Sequence, residues 1–238
     1  MSEYRGHEHI RSYVKRATRM SASQKRAYDS HWEQYCLSAK TQGEISRLEA
    51  EARTPAIQRL FSDSDSPLVV EIGFGMGDAT AEIAAANPGT NYLGIEVHRP
   101  GVGKLLRRLS ESGTQNVLIV ERDAIPVLEE LISPASLAGV HLFFPDPWPK
   151  KRHHKRRLVR PNVVNVIADR LAPGGYLYMV TDWQEYADSA LEVIQACTSL
   201  VNQGERFTKR EAWRPTTAFE RKGRSAGRKI VELQFRRE

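Results

Sequence analysis

The stretch FFPDPWPKKRHHKRR, residues 143–157, sets one carboxylate, Asp146, among Pro145, Pro147, Pro149 and Trp148, and then runs into cations. From Lys150 to Arg160 there are seven Lys or Arg residues and no acid. Proline fixes its own φ and restricts the residue before it, so the Asp146 carboxylate is expected to be held rigidly against a reacting group. The cations Lys150, Lys151, Arg152, Lys155, Arg156, Arg157 and Arg160 suit phosphates, through contacts that ignore base sequence and weaken with salt. His153 and His154 share the run, but the cations around them disfavour a metal ion, and none is expected. A second constellation is EIGFGMGD, residues 71–78. Its Gly73, Gly75 and Gly77 allow tight turning and close approach of backbone to a ligand before a helix N-terminus. A dinucleotide fingerprint would need glycine at 78, where Asp78 stands and would repel a pyrophosphate. Two more acids, Glu96 in LGIEVH and Asp123 in ERDA, end apolar runs as Glu71 does.

Such residues need a scaffold that collects them. From Leu68 the hydropathy pattern alternates between strands and helices: PLVVEIG, a helix over 78–86, NYLGIE, a helix over 100–112, NVLIVE and a helix over 124–132. GVHLFFPD, a helix over 160–171, GGYLYMVTD and a helix over 184–197 continue it, and KIVELQFRR closes the chain as a strand expected to be antiparallel. This order predicts an α/β fold, a doubly wound, Rossmann-like and mostly parallel sheet with helices on both faces. In such sheets the ligand lies beyond the carboxyl ends of the strands, where the acids above are found. Residues 1–66 form an N-terminal extension with some helix, closed by SDSDSP, and 67–238 form the main domain. The segment to about Arg19 is expected to be mobile alone and to order against cofactor or RNA.

Over 238 residues the net charge is +6, which favours an anionic polymer as partner over a neutral metabolite. The two cysteines, Cys36 and Cys197, have no CxxC spacing, so neither a disulfide framework nor a structural zinc site is expected, and a reducing cytoplasm is. No run approaches the roughly 18 apolar residues of a membrane span, and no signal-peptide core is present, so no membrane association is expected.

The spaced form Glu71-x-Gly73-x-Gly75-x-Gly77 resembles the first motif of class I S-adenosylmethionine-dependent methyltransferases. In that superfamily Glu96 would accept hydrogen bonds from both ribose hydroxyls, and Asp123 with the backbone of Ala124 would hold the adenine. HLFFPDPWPKKRHHK is similar, almost letter for letter, to the signature of the bacterial tRNA (guanine-N7)-methyltransferase family. IRSYV, EIGFGMG, GIEVHRPGVG, TDW and RPTTAFE resemble further blocks of that family, in family order.

The resemblance implies methyl transfer from S-adenosylmethionine to N7 of a guanosine in the variable loop of tRNA, by a monomer or homodimer. It assigns Asp146 to the catalytic centre and to the cofactor site with Glu71, Gly73, Gly75, Gly77, Glu96, Asp123 and Ala124. Substrate contacts would come from Lys150, Asp182, Thr217, Ala218, Phe219 and Glu220, and RNA contacts from Lys151, Arg152, His153, Lys155, Arg156 and Arg157. Ala218 stands where a basic residue is expected; Arg214, Arg221 and Lys222 are the cations that could compensate. Trp148 is open to two roles, packing in its loop or stacking on a base. Two alternatives remain at this point. One is methyl transfer to another nucleic-acid position, such as an exocyclic amine of DNA, whose Asp-Pro-Pro-aromatic signature is broken here by Trp148. The other is an RNA-binding relative without catalysis, which the intact Glu71, Glu96, Asp123 and Asp146 disfavour.

Overall fold

A computed structural model describes residues 12–13, 18–52 and 56–238. Seven strands form one sheet: β1 (Leu68–Ile72), β2 (Asn91–Ile95), β3 (Val117–Val120), β4 (Leu137–Phe143), β5 (Leu171–Thr181), β6 (Leu200–Asn202) and β7 (Val231–Arg237), in the order β3-β2-β1-β4-β5-β7-β6. Strands β1 to β5 pair in parallel, and β7 runs antiparallel between β5 and β6. Leu68, Val70 and Ile72 of β1 enter one core layer and Val69 the other, which is why the strand reads as an unbroken apolar run.

One layer contains α1 (Ala22–Tyr35), α3 (Asp78–Ala86) and α4 (Arg99–Ser112). The other contains α2 (Ala39–Ala52), α5 (Ala124–Leu131), α6 (Pro161–Arg170) and α7 (Gln184–Gln195). Local chemistry sets several ends: Ser21 and Gln24 form a reciprocal cap on α1, and Asp123 Oδ1 accepts from Ile125 N–H at the start of α5. Proline opens α4 and α6, where a missing N–H costs nothing. Strand order reverses between β1 and β4, and the carboxyl ends of those two strands carry the glycine loop and the Asp146 loop.

The extension is integrated with the sheet. Helix α1 lies along α4, so closely that a Cβ on Gly103 would meet Gln24 O at 2.7 Å. The chain after α1 bridges the edge strand β3, with Leu37 N–H donating to Ile119 O at 2.9 Å, which covers an otherwise open edge. The part of the segment to Arg19 expected to be mobile falls largely outside the described residues.

Candidate active site

The turn after β1 uses the freedom of glycine: Gly73, Gly75 and Gly77 have φ of +72°, +58° and +71°. Glu96 organises that turn from behind. Its Oε2 accepts from Gly75 N–H at 2.8 Å, and its Oε1 accepts from Val97 N–H at 2.7 Å and His98 N–H at 3.0 Å. Burial raises the Glu96 carboxyl above its usual range, and these amide bonds oppose the rise. Glu71 is buried and accepts from Thr80 Oγ1 at 2.8 Å. Burial pushes it up to about 7, the Thr80 bond works against this, and the charge of Glu96 adds to it.

Gly101 is as necessary as the glycines of the motif, because a Cβ there would lie 1.8 Å from Gly75 O. Sequence reasoning gave it no role, although it stands inside the GIEVHRPGVG block. Asp78 differs from expectation: its carboxylate meets Lys104 Nζ at 2.8 Å and Arg108 Nε at 2.8 Å. Its charge is therefore offset locally by these two cations.

Glu71, Gly73, Gly75, Gly77, Asp78 and Glu96 line a cavity of about 500 Å³ that also takes in Asp146, Phe144 and Phe219. At the end of β3 the lining residues are Arg122 and Ala124, while the Asp123 carboxylate caps α5. Past β4 the backbone is unusual. Phe144 and Trp148 have φ of +53° and +46°, a region costing non-glycine residues about 1–3 kcal/mol each. Both precede prolines, whose rings already exclude the right-handed helical region. Asp146 is exposed midway between them. The positive φ explains why Phe144 is half-buried rather than buried like Phe143: its ring turns to the cavity and stacks with Phe219, centroids 6.4 Å apart. Trp148 packs within its own chain. Its Nε1 donates to Ser12 O at 3.3 Å, Arg156 lies 5.1 Å from its ring centroid and His153 meets it edge-on. Ser12 and Tyr13 line the same cavity.

The basic run forms a 3-10 turn over Lys151–Arg156. Lys150, Lys151, Arg152 and Lys155 are exposed, and His153 and Arg156 are half-buried. Desolvation and the cations Arg152, Arg156, Lys150 and Lys155 hold His153 below its usual range.

Arg157 is a correction to the expected RNA contacts. Its side chain is 3% exposed and its donors are taken: Nε donates to Pro147 O at 2.9 Å, and Nη1 to Glu185 Oε1 at 3.0 Å. Nη2 pairs with Glu185 Oε2 and donates to His154 Nε2 at 3.1 Å. A guanidinium only donates, so His154 Nε2 is the unprotonated acceptor.

The remaining wall is α8 (Ala218–Ser225), capped by Thr217 Oγ1, which accepts from Glu220 N–H at 3.1 Å. Thr217, Ala218 and Phe219 line the cavity, and Phe219 is 58% exposed. Glu220, expected to touch substrate, is fully buried and faces away. It receives Arg214 at 2.6 Å, Arg210 at 2.6 Å and Arg224 at 2.9 Å. Burial opposes its ionisation, but those arginines hold it below the usual carboxylate range. Arg214 is not free to compensate for Ala218: it is fully buried between Glu220 and Glu232, with Glu232 Oε1 at 2.7 Å. Tyr178 donates to the same Glu232. Arg221 and Lys222 are exposed. Asp182 lies outside the Asp146 cavity, in a neighbouring hollow of about 410 Å³, and pairs with Arg228 at 3.1 Å. Lys150 does not line the cavity either.

A family model described as "Putative methyltransferase" matches residues 65–233. A tRNA (guanine-N(7)-)-methyltransferase of Burkholderia cenocepacia is 46% identical over 97% of this chain and 86% of its own. One of Paraburkholderia xenovorans is 45% identical over 96% and 83%. The chain belongs to the tRNA (guanine-N7)-methyltransferase family.

Among solved structures, the 16S rRNA methyltransferase KamB aligns with a TM-score of 0.56 at 13% identity, over 85% of this chain and 95% of its own. The aminoglycoside resistance methyltransferase NpmB1 aligns at 0.51 and 16%, over 85% and 94%. At such identities these structures show the fold, a Rossmann-like methyltransferase sheet, and nothing finer. The methyl donor of the tRNA (guanine-N7)-methyltransferase family is S-adenosylmethionine, and the residues present fit it. Two buried carboxylates, Glu71 and Glu96, suit a cationic molecule, and the glycine turn lets the main chain line the cavity where side chains would project into it.

Proposed function

We propose that this chain methylates N7 of a guanosine in the variable loop of tRNA, and that Asp146 is its catalytic residue. What carries this reading is the position of Asp146: an exposed carboxylate on the rim of the cavity, between two residues held at positive φ. S-adenosylmethionine supplies an electrophilic methyl group on a sulfonium. Guanine N7 has an in-plane lone pair and is unprotonated near neutral pH, so no proton need be removed and alignment is the task. Positive charge grows on the purine as the bond forms. A carboxylate already fixed in place stabilises that charge without reorganising, and its oxygens can orient guanine through the N1 and N2 donors. Phe219 and Phe144 form an aromatic wall beside it, suited to a base that has left its stack.

Within this reading Glu71, Gly73, Gly75, Gly77, Glu96 and Ala124 hold the cofactor. Glu96 already accepts three amide bonds, and a carboxylate has about four acceptor sites, so a second ribose hydroxyl would displace one amide. Thr217, Ala218 and Phe219 touch the substrate, and the exposed Lys150, Lys151, Arg152 and Lys155 take its phosphates. Residues 67–238 act as the catalytic domain and the extension contributes Ser12 and Tyr13 to the cavity. The enzyme works in the cytoplasm as a monomer or homodimer. Incubation with labelled S-adenosylmethionine and unmodified tRNA, followed by nucleoside analysis, tests the activity. The expected product is 7-methylguanosine; label in another nucleoside, or none with bound tRNA, overturns the reading.

A further inference from the structure

We propose that Arg157 and Glu185 form a clamp that positions the Asp146 carboxylate, and that Arg157 therefore serves the reaction from inside the protein rather than by binding RNA. This rests on the assignment of Asp146 made above. The loop from Phe144 to Pro149 has three prolines, which lack N–H groups, and two residues at positive φ, so local hydrogen bonding cannot hold it. Something outside the loop must. Arg157 Nε donates to the carbonyl of Pro147, the residue directly after Asp146. The other edge of the same guanidinium grips Glu185 with both Nη atoms, at the first turn of α7. The plane lies over the Tyr186 ring, 4.7 Å from its centroid, and Tyr186 Oη accepts from Val159 N–H at 3.2 Å, fixing the chain just beyond.

The clamp thus ties the loop after β4 to the helix after β5, across neighbouring carboxyl ends of the sheet. Only a planar, forked cation can meet the Pro147 carbonyl and the Glu185 carboxylate together. Burying the guanidinium is costly, and with its carboxylate partner at the surface the pairing is better explained by the geometry it enforces than by stability. Glu185 is the accessible side of the clamp, 55% exposed, so it can be altered without opening the core.

Arg157→Lys, Glu185→Gln and the double variant should be compared with the unaltered protein and with Asp146→Ala. Single-turnover methylation is measured at saturating cofactor and tRNA, and tRNA affinity over a salt series. Each single clamp variant is expected to lose at least about tenfold in rate, with tRNA affinity within twofold, an unchanged salt slope and unchanged cofactor affinity. The double variant should be no slower than the worse single, since the two groups act as one unit. A reduced salt slope for Arg157→Lys with a normal saturated rate would make Arg157 a phosphate contact and overturn the clamp. Glu185→Gln turning over at the unaltered rate, or a change confined to melting temperature, would overturn it too. Asp146→Ala separates the two failures. If it is inactive while the clamp variants are normal, the clamp alone fails; if it is active, the assignment of Asp146 fails.

Discussion

The two walls of the cavity are built by opposite means. On the side of β1 and β2 the cavity is lined by a main-chain turn whose own N–H groups are tied back into the protein, Gly75 to Glu96, Gly73 to the Ile95 carbonyl and Gly77 to the Phe74 carbonyl, over buried carboxylates. On the side of β4 and α8 the lining groups are exposed side chains, Asp146 and Phe219, and the burial lies behind them in two charged knots. Arg157 with Glu185 stands behind the Asp146 loop, and Arg214 with Glu220 and Glu232 behind α8. A small cofactor of fixed shape can be met by a surface fixed by the main chain. A large RNA must reach groups that project, and groups that project need to be held from the rear.

The sharpest way to break this comparison is to remove a rear support. Arg214→Met should leave Glu220 and Glu232 buried with one fewer cation, costing about 3–5 kcal/mol. For a chain of this size that lowers the melting temperature by on the order of 10 °C. A loss of only a degree or two would mean that α8 does not depend on this knot. Next in size is the front of the same wall. Asp146→Ala is expected to lower the single-turnover rate by about 10²–10³, the range for losing one preorganised electrostatic contact, with cofactor affinity unchanged. Asp146→Asn distinguishes charge from orientation: a loss equal to that of Ala points to charge, and a near-active Asn variant to orientation of the base.

The same difference explains what could be read from the sequence. The sheet and its helices were legible because β1 to β5 are buried on both faces and α4 to α7 carry regular apolar stripes. The glycine turn was legible because positive φ leaves few residue types possible. Strand β6, at three residues, is too short for a period to show. Helix α8 was missed because its buried positions are Glu220 and Gly223, a charge and a glycine rather than apolar residues. Arg157 looked like its exposed neighbours because burial of an arginine is decided by a partner 28 residues away. One local signal existed: Leu158 and Val159 follow directly and are buried, so the chain is already entering the core at Arg157. Nothing local announces that Trp148 meets Ser12, since that contact crosses 136 residues.

A smaller effect tests the cofactor wall through pH. The folded-state value of Glu71, about 7, lies above its ordinary 4.5, so between those values the folded protein holds a proton that the unfolded chain has released. The stability this group contributes is complete below about 4.5 and is lost as pH rises through about 7. The slope is at most roughly 1.4 kcal/mol per pH unit. A cation bound in the cavity favours the ionised carboxylate, so cofactor affinity should rise through the same window, by up to about tenfold per unit, with one proton released. Melting scans without cofactor and calorimetry in buffers of differing ionisation enthalpy would measure both. Glu71→Gln should flatten both profiles, and an unchanged profile would remove Glu71 from the electrostatics of this wall.

The smallest expected effect separates projecting cations from buried ones within a single run. Lys151 and Lys155 are exposed on the 3-10 turn, which also carries the half-buried His154 and Arg156. If each meets one tRNA phosphate, its replacement by Ala releases fewer counterions on binding and lowers the slope of log affinity against log salt by about 0.7–0.9. Affinity at low salt should fall a few-fold, equally for all tRNAs, because phosphate contacts carry no base information. The single-turnover rate at saturating tRNA should hold, since neither side chain touches the Asp146 loop in the way Arg157 does. A rate loss at saturation with an unchanged slope would place these lysines among the positioning residues. The line between gripping RNA and holding the active loop would then not fall at Arg157, and front and rear of this wall would have to be drawn again.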